Sequence, residues 1–262
     1  MKKKILTVLV CAAVMLTTAC DKSGISSTPT DSSNESSSTS SKESSSTSSE
    51  ENSSKESESS PESSSAPSES TPESSSATSG GDTEGGFTHG TVTANSYNSE
   101  FLGIKADFAE GWITVTDDIL AQNNGITDMS DENVNKALNT NAILYELIAG
   151  TETNTNMNIV IENLNVTNKG KQLTGAEYIE LAFPNVEAQF KAAGFESVEA
   201  EKSTVSFLGS EMACINTKLT NEGQEAVQKM IPLSNGTYMG IVTFTGANEE
   251  EIISTMSMFQ KI

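Results

Sequence analysis

The sequence predicts an α+β fold in which an antiparallel β-sheet is covered by helices, as an α/β/α sandwich, preceded by a long disordered tether. Three observations support this prediction. Alternating apolar and polar residues, typical of half-buried antiparallel strands, recur after residue 90. One long amphipathic helix pattern lies among these strands, and a second helix pattern closes the chain. A Ser- and Glu-rich stretch precedes the first strand.

Residues 1–20 are typical of a bacterial lipoprotein signal peptide. Three lysines at 2–4 precede an apolar run over 5–16, and small residues then lead to Cys20. The run is too short to cross the roughly 30 Å hydrocarbon core of a bilayer. We therefore expect cleavage before Cys20 and lipidation of that cysteine, although Thr17 stands where lipoboxes most often carry leucine. An uncleaved anchor helix is the alternative.

Residues 21–90 predict a disordered linker, because a chain of Ser, Thr, Glu, Pro and Gly cannot bury enough apolar surface to offset its entropy. This stretch holds 13 acidic residues and 3 lysines, and like charges extend a chain. As a flexible coil it would span roughly 45 Å. We expect a spacer that holds a domain away from a membrane; a specific binding role is the alternative.

The net charge of −21 argues against nucleic acid as a partner, since the long-range field repels a polyanion. All 15 cationic residues are lysines, so the bidentate phosphate grip of arginine is also missing. Adsorption of the domain onto anionic lipid is disfavoured for the same reason. The expected attachment to the membrane is therefore the lipid on Cys20.

The globular domain is predicted over 91–262, and its first half contains short strands and two short helices. Alternation of apolar residues at Ile104, Ala106 and Phe108 indicates a strand. Asp117 or Asp118 is the expected cap of the first helix, and Ser130 precedes the second. The predicted segments are a strand around 104–108, a strand beginning at Trp112, a helix over 119–123 ended by Gly125, a helix after Ser130, and strands over 142–150 and 157–164 joined by a polar hairpin loop.

The clearest helix begins at Thr174, which forms a capping-box spacing with Glu177. Apolar residues then recur in steps of three and four as far as Phe190, which predicts one buried face. Pro184 predicts a kink or a restart, because an interior proline costs roughly 3 kcal/mol. Gly194 is the expected end.

The last third predicts four consecutive strands and a closing helix. Asn235-Gly236 is a strong hairpin signal. The helix is expected from Asn248, with Ile252, Met256 and Phe259 on its inner face and three glutamates in its first turn. The predicted strands are 197–208, 211–220, 224–233 and 238–245.

Two short motifs resemble the opening of PsbP-like domains, which include bacterial lipoproteins of the DcrB type. They are Tyr97-Asn-x-x-Phe-x-Gly-Ile and Phe108-Ala-Glu-Gly-Trp112, and Gly209, the Gly236-Thr-Tyr strand and the closing helix extend the resemblance over most of 91–262. The resemblance implies an antiparallel sheet between helices in a family that mostly binds or assists other proteins. It implies no catalytic residues.

The residues that catalysis would need are scarce. The only histidine, His89, lies at the linker boundary among glycines, and we expect it to be flexible and outside the core. Histidine triads and zinc sites are therefore not expected. The glycine pairs 80–81 and 85–86 follow no strand, so a phosphate-binding loop is not expected either, and no catalytic, cofactor or metal site is predicted. Cys214 is the only cysteine in the domain, and we expect a buried structural thiol.

Several acidic and aromatic residues have a structural role as the expected interpretation and a functional role as the alternative. Asp117/Asp118 and Asp128 with Asp131/Glu132 are expected to cap helices, but such pairs are also used in glycoside hydrolysis or calcium binding. Trp112 is expected in the core, with a sugar-binding platform as the alternative. The same ambiguity applies to Tyr97, Phe101, Tyr145, Tyr178 and Tyr238.

Two function classes follow. The preferred one is a lipid-anchored protein on the extracytoplasmic face of a bacterial cell membrane, with a Gram-positive envelope expected, whose non-catalytic domain binds an envelope or secreted protein or another envelope component. The alternative is an envelope hydrolase that uses paired Asp/Glu carboxylates. A passive domain on a spacer is a third interpretation.

Overall fold

The computed structural model describes residues 86–262. The predicted signal peptide, Cys20 and the tether up to residue 85 lie outside the described residues. None of the helices in the described range is long and apolar enough to span a bilayer.

A seven-stranded antiparallel sheet forms the centre of the domain. Its strands are β4 (Ile113–Thr114), β5 (Ile143–Gly150), β6 (Asn156–Asn163), β7 (Ser197–Phe207), β8 (Ser210–Asn221), β9 (Gln224–Asn235) and β10 (Tyr238–Gly246). They lie in the order β4-β5-β6-β10-β9-β8-β7. The four strands predicted for the last third are thus confirmed as successive antiparallel neighbours.

The hairpins of this sheet depend on residues with positive φ. Leu208 and Gly209, with φ of 54° and 76°, join β7 to β8, and Glu222 and Gly223, with φ of 51° and 71°, join β8 to β9. Two successive residues with positive φ match the right-handed twist of the flanking strands.

A smaller antiparallel sheet contains β1 (Thr91–Val92), β2 (Ser96–Ser99), β3 (Ile104–Asp107) and β11 (Phe259–Lys261), in the order β1-β2-β3-β11. The last strand corrects one expectation. Phe259 is not on the closing helix but pairs with Ala106 in β3. Its ring lies 5.7 Å from that of Phe207 and 5.5 Å from that of Phe244.

Five helices complete the domain. They are α1 (Asp117–Asn124), α2 (Asp131–Asn141), α3 (Leu164–Thr167), α4 (Gly175–Ala192) and α5 (Glu249–Met256). Thr116 occupies the N-cap position of α1 without a side-chain hydrogen bond, whereas Asp117 and Asp118 lie in the first turn. The capping box of Thr174 and Glu177 is present in α4. This helix runs through Pro184 without the predicted restart.

Helices cover both faces of the large sheet. On one face, α4 packs against β7, β8 and β9, and Ile179, Val186 and Phe190 are buried there. On the other face, a larger core includes side chains from α1, α2, α5 and the small sheet. The predicted α+β class, an antiparallel sheet covered by helices, is confirmed; the second sheet was not predicted.

Candidate functional site

The folded region begins before the predicted boundary at Thr91. Phe87 is 1% exposed, and its ring lies 4.8 Å from that of Phe101 and 6.4 Å from that of Tyr238. Asn135 on α2 accepts a hydrogen bond from the Phe87 amide at 2.9 Å and donates one to its carbonyl at 2.7 Å. The last residues of the predicted linker are therefore attached to the domain by both apolar and polar contacts.

The expectation that His89 is flexible and outside the core is wrong. Its side chain is 9% exposed, and Nδ1 lies 2.6 Å from Oε2 of Glu146. On the other side of the ring, Nε2 lies 3.7 Å from Oδ1 of Asp117. The amide of His89 donates to Asp131 at 3.1 Å. Local sequence could not reveal these contacts, because they join segments far apart in the chain.

Glu146 has no exposed surface and is a residue that the sequence analysis missed. Besides His89, its carboxylate accepts hydrogen bonds from the Gly90 amide at 2.7 Å and the Tyr97 hydroxyl at 3.2 Å. The register of β5 against β6 shifts between Tyr145 and Leu147, where Glu146 is the extra residue. This bulge allows Glu146 to reach the side of the small sheet while Leu147 stays in the same core.

The charges around His89 favour its protonated form. Burial lowers the pKa of the imidazole, but the hydrogen bond to Glu146 and the charges of Glu146 and Asp117 raise it by more, so the net pKa lies above its ordinary value. Burial and the charge of Glu146 raise the pKa of Tyr97 well above its ordinary value. The two carboxylates therefore favour a protonated ring that neutralises the buried Glu146, and the protonated form cannot act as a general base.

A cleft of about 630 Å³ opens at Asp117, the carboxylate that faces the His89 ring. It lies between the turn that joins β1 to β2 and the segment that leads through β4 into α1, and Trp112, Asp117 and Asp118 line it. Trp112 is half-buried, and its ring is nearly parallel to that of Phe108 at 6.4 Å. The tryptophan therefore belongs in part to the core, as expected, and in part to a surface that a ligand can reach.

The two acidic groups both reach His89, Asp117 at its ring and Asp131 at its amide, but within residues 86–262 they do not form a metal-binding cluster. Asp128 accepts hydrogen bonds from the Ser130 amide at 3.0 Å and from Asn133 at 2.9 Å, and these bonds lower the pKa of its carboxyl. Asp131 accepts from the His89 amide. Within residues 86–262, no group of three or more His, Cys, Asp or Glu side chains is placed to hold a metal ion.

Most of the other aromatic candidates lie in the core. Tyr97 is 1% exposed, and Phe101 and Tyr238 pack with Phe87. The Tyr178 hydroxyl donates at 2.6 Å to Glu162, whose pKa is raised by burial. Tyr145 is half-buried.

Cys214 is buried, as expected, and has a free thiol. Burial raises its pKa, which disfavours the reactive thiolate.

A scan against protein-family models found no match for this chain, and a search of curated proteins found none either. Among solved structures, the chain is similar to cyanobacterial PsbP (CyanoP) from Synechocystis sp. PCC 6803, with 12% identity and a TM-score of 0.38, over 68% of this chain and 98% of that one. It is also similar to a Bacteroides thetaiotaomicron VPI-5482 protein, with 11% identity and a TM-score of 0.34, over 65% of this chain and 49% of that one. The chain thus spans about half the length of the latter. At these TM-scores, the similarity carries no argument about function.

Proposed function

We propose that this chain is a lipid-anchored protein of a bacterial cell surface. In this proposal, Cys20 carries the lipid, and the acidic linker holds the domain away from the membrane. The domain binds a protein or another envelope component without catalysing a reaction. Support for the anchor comes from the lysines, the apolar run and the small residues that precede Cys20.

The observation that carries the non-catalytic part is the burial of His89 against Glu146. The only histidine of the sequence is bound to a carboxylate at 2.6 Å within the domain. The other ring nitrogen, Nε2, is buried, and His89 is not among the residues that line the adjacent cleft, so a ligand in that cleft has no direct access to it. The adjacent cleft is large enough for a side chain or a small ligand and is therefore the preferred binding site.

A hydrolase remains the second candidate because Asp117 and Asp118 line the same cleft. Glycosidases act with two carboxylates and need no histidine. The two proposals differ in what they expect from purified envelope material. A binding domain retains this material without change, whereas a hydrolase releases soluble fragments from it.

The anchor is tested by growth with labelled fatty acid, in cells that express the chain with Cys20→Ala. We expect the variant to incorporate no label and to leave the membrane fraction. Cys214→Ala is the matched control, because it removes a cysteine that is buried in the domain, and it should keep both properties. Unchanged labelling of the Cys20 variant would contradict the anchor.

The hydrolase alternative is tested by incubating the purified chain with envelope polysaccharide and measuring the new reducing ends. We expect none above background. Release that Asp118→Asn abolishes would contradict the non-catalytic proposal and favour the hydrolase.

A further inference from the structure

The cleft beside His89 has a strongly one-sided charge. The residues that line it include Asp117 and Asp118 and no lysine. Over residues 107–132, the chain carries seven carboxylates and no lysine. Opposite charges attract over several ångströms even near a protein surface, so this cleft favours a cation and repels an anion.

The two aspartates have acceptor capacity to spare. Both side chains are exposed in the first turn of α1. Asp117 faces His89, whose Nε2 is buried, has no hydrogen-bond partner among residues 86–262 and lies 3.7 Å from Oδ1 of Asp117. That distance is too long for a hydrogen bond, and the Asp117 side chain remains 56% exposed. Both carboxylates can therefore accept donors from outside the domain.

The walls of the cleft suit an apolar stem that carries a charge. Val92, Trp112 and Ile113 line it together with the aspartates, and Ile113 is 64% exposed. An ammonium group is attracted to the face of an indole ring, and the methylene groups of a lysine side chain pack on apolar surface. A small inorganic cation would use the carboxylates alone and leave these walls uncovered.

We propose that the cleft binds a lysine side chain of a basic protein partner, with Asp117 and Asp118 as acceptors of its ammonium group and Trp112 as the apolar wall. This inference rests on the proposed binding function and names the chemistry of the partner. The domain adds a favourable long-range field, since residues 91–262 carry 23 acidic residues and 9 lysines. The association is therefore faster and tighter at low salt.

The sequence provides its own reporter, because Trp112 is the only tryptophan. The chain from residue 21 onward is titrated with a tetralysine peptide blocked at both ends, and the emission of Trp112 is followed. The matched probe is the same peptide with acetylated lysine side chains, which keeps the stems and removes the charges. We expect a saturable change in emission with the first peptide only, weakened by added salt.

The variant Asp118→Asn should weaken binding of the lysine peptide about five- to tenfold, because it removes one charge-assisted acceptor. Glu199→Gln is the matched control, since it removes one charge at an exposed position of β7 and should leave the affinity within about twofold. Equal weakening by both variants, or equal binding of the acetylated peptide, would overturn the proposal.

A glucosamine tetramer forms the third arm of the experiment. If it changes Trp112 emission while the lysine peptide does not, the partner is an amino sugar and the lysine proposal is wrong. Failure of every probe would also overturn it, but would leave the anchor and the non-catalytic domain intact, because fatty-acid labelling and the assay of reducing ends measure those independently.

Discussion

His89 and Glu146 show how two residues can attach a linker to a domain. A buried carboxylate without a partner is strongly destabilising, and Glu146 has no exposed surface. It receives donors from His89, Gly90 and Tyr97, so that its charge and its lone pairs are both satisfied. The ion pair therefore compensates the desolvation cost of burying the Glu146 carboxylate. Removal of one partner leaves that cost uncompensated.

The hydrogen bond from the Gly90 amide to Glu146 requires glycine because a side chain would not fit, not because the backbone must be flexible. A Cβ atom at this position would lie 2.8 Å from Oε1 of Glu146 and 2.9 Å from the carbonyl of Asn98. The close approach of the backbone to Glu146 thus excludes a side chain. By composition Gly90 belongs to the linker, since composition alone does not distinguish a flexible glycine from a crowded one.

His89→Gln is expected to lower the free energy of unfolding by about 3 kcal/mol at pH 6, because it leaves Glu146 buried without a countercharge. The raised pKa of His89 fixes the sign of the pH dependence. The stabilisation is fully present below the ordinary histidine pKa and is lost as the pH rises through the folded-state pKa. The measurement is urea unfolding of both proteins between about pH 5.5 and 8.5.

The difference in free energy of unfolding between the unchanged chain and the His89→Gln variant should narrow towards the alkaline end of that range. The charged and titratable groups that face His89 are Glu146 on β5, Asp117 on α1 and Asp131 on α2, with Tyr97 on β2 sharing Glu146. No other histidine titrates in this range, because the sequence contains one. A difference in free energy of unfolding that stays constant, or that widens with pH, would contradict a stabilising ion pair between His89 and Glu146.

At the scale of elements, α4 shows a helix that tolerates its proline. Pro184 lies on the exposed side, where the carbonyl that loses its intrahelical partner can bond to water. The opposite face packs on the large sheet through Ile179, Val186 and Phe190. Packing of this face holds the helix together where local propensity predicts an interruption.

Pro184→Ala should therefore raise the free energy of unfolding by about 1 to 2 kcal/mol. The change restores one backbone hydrogen bond, and the greater entropy of the unfolded chain offsets part of the gain. Thermal and urea unfolding measure the effect. Leu181→Ala, at a 57% exposed position of the same helix, is the control and should change stability by less than about 0.5 kcal/mol. No increase in the free energy of unfolding with Pro184→Ala would mean that the proline does not destabilise this helix.

The closing segment shows the limit of periodicity. Apolar residues at 252, 256 and 259 have helical spacing, yet α5 ends at Met256 and Phe259 lies in β11. The three-residue spacing from 256 to 259 is compatible with a longer helix or with a strand that follows the helix. Pairing with Ala106 and the contacts with Phe207 and Phe244 decide which structure Phe259 adopts, and all three partners lie outside the closing segment.

At the scale of the whole molecule, the start of the domain is part of its stability. Phe87 lies in the larger core, and Asn135, Asp131 and Glu146 bond to the backbone of residues 87–90. A pull on the linker would therefore act first on these contacts.

A fragment that begins at residue 91 should be less stable than one that begins at residue 86. It loses the buried ring of Phe87, and loss of such a ring costs about 3 kcal/mol or more. It also loses the countercharge of Glu146. Urea unfolding compares the two fragments, with the chain from residue 21 onward as the control that should match the longer one. Equal midpoints for the two fragments would show that residues 86–90 add nothing.

The sequence by itself determined the class of fold, because alternation, capping boxes and turn residues act over a few positions and survive in the folded state. Thr174 with Glu177, and the hairpin around Gly209, are examples. The tertiary structure alone decided the site. His89, Glu146 and Asp117 lie up to 57 residues apart, and no local pattern encodes their meeting. A lone glutamate among the apolar residues of β5 was the one available signal, since a buried charge requires a partner without specifying where in the chain that partner lies.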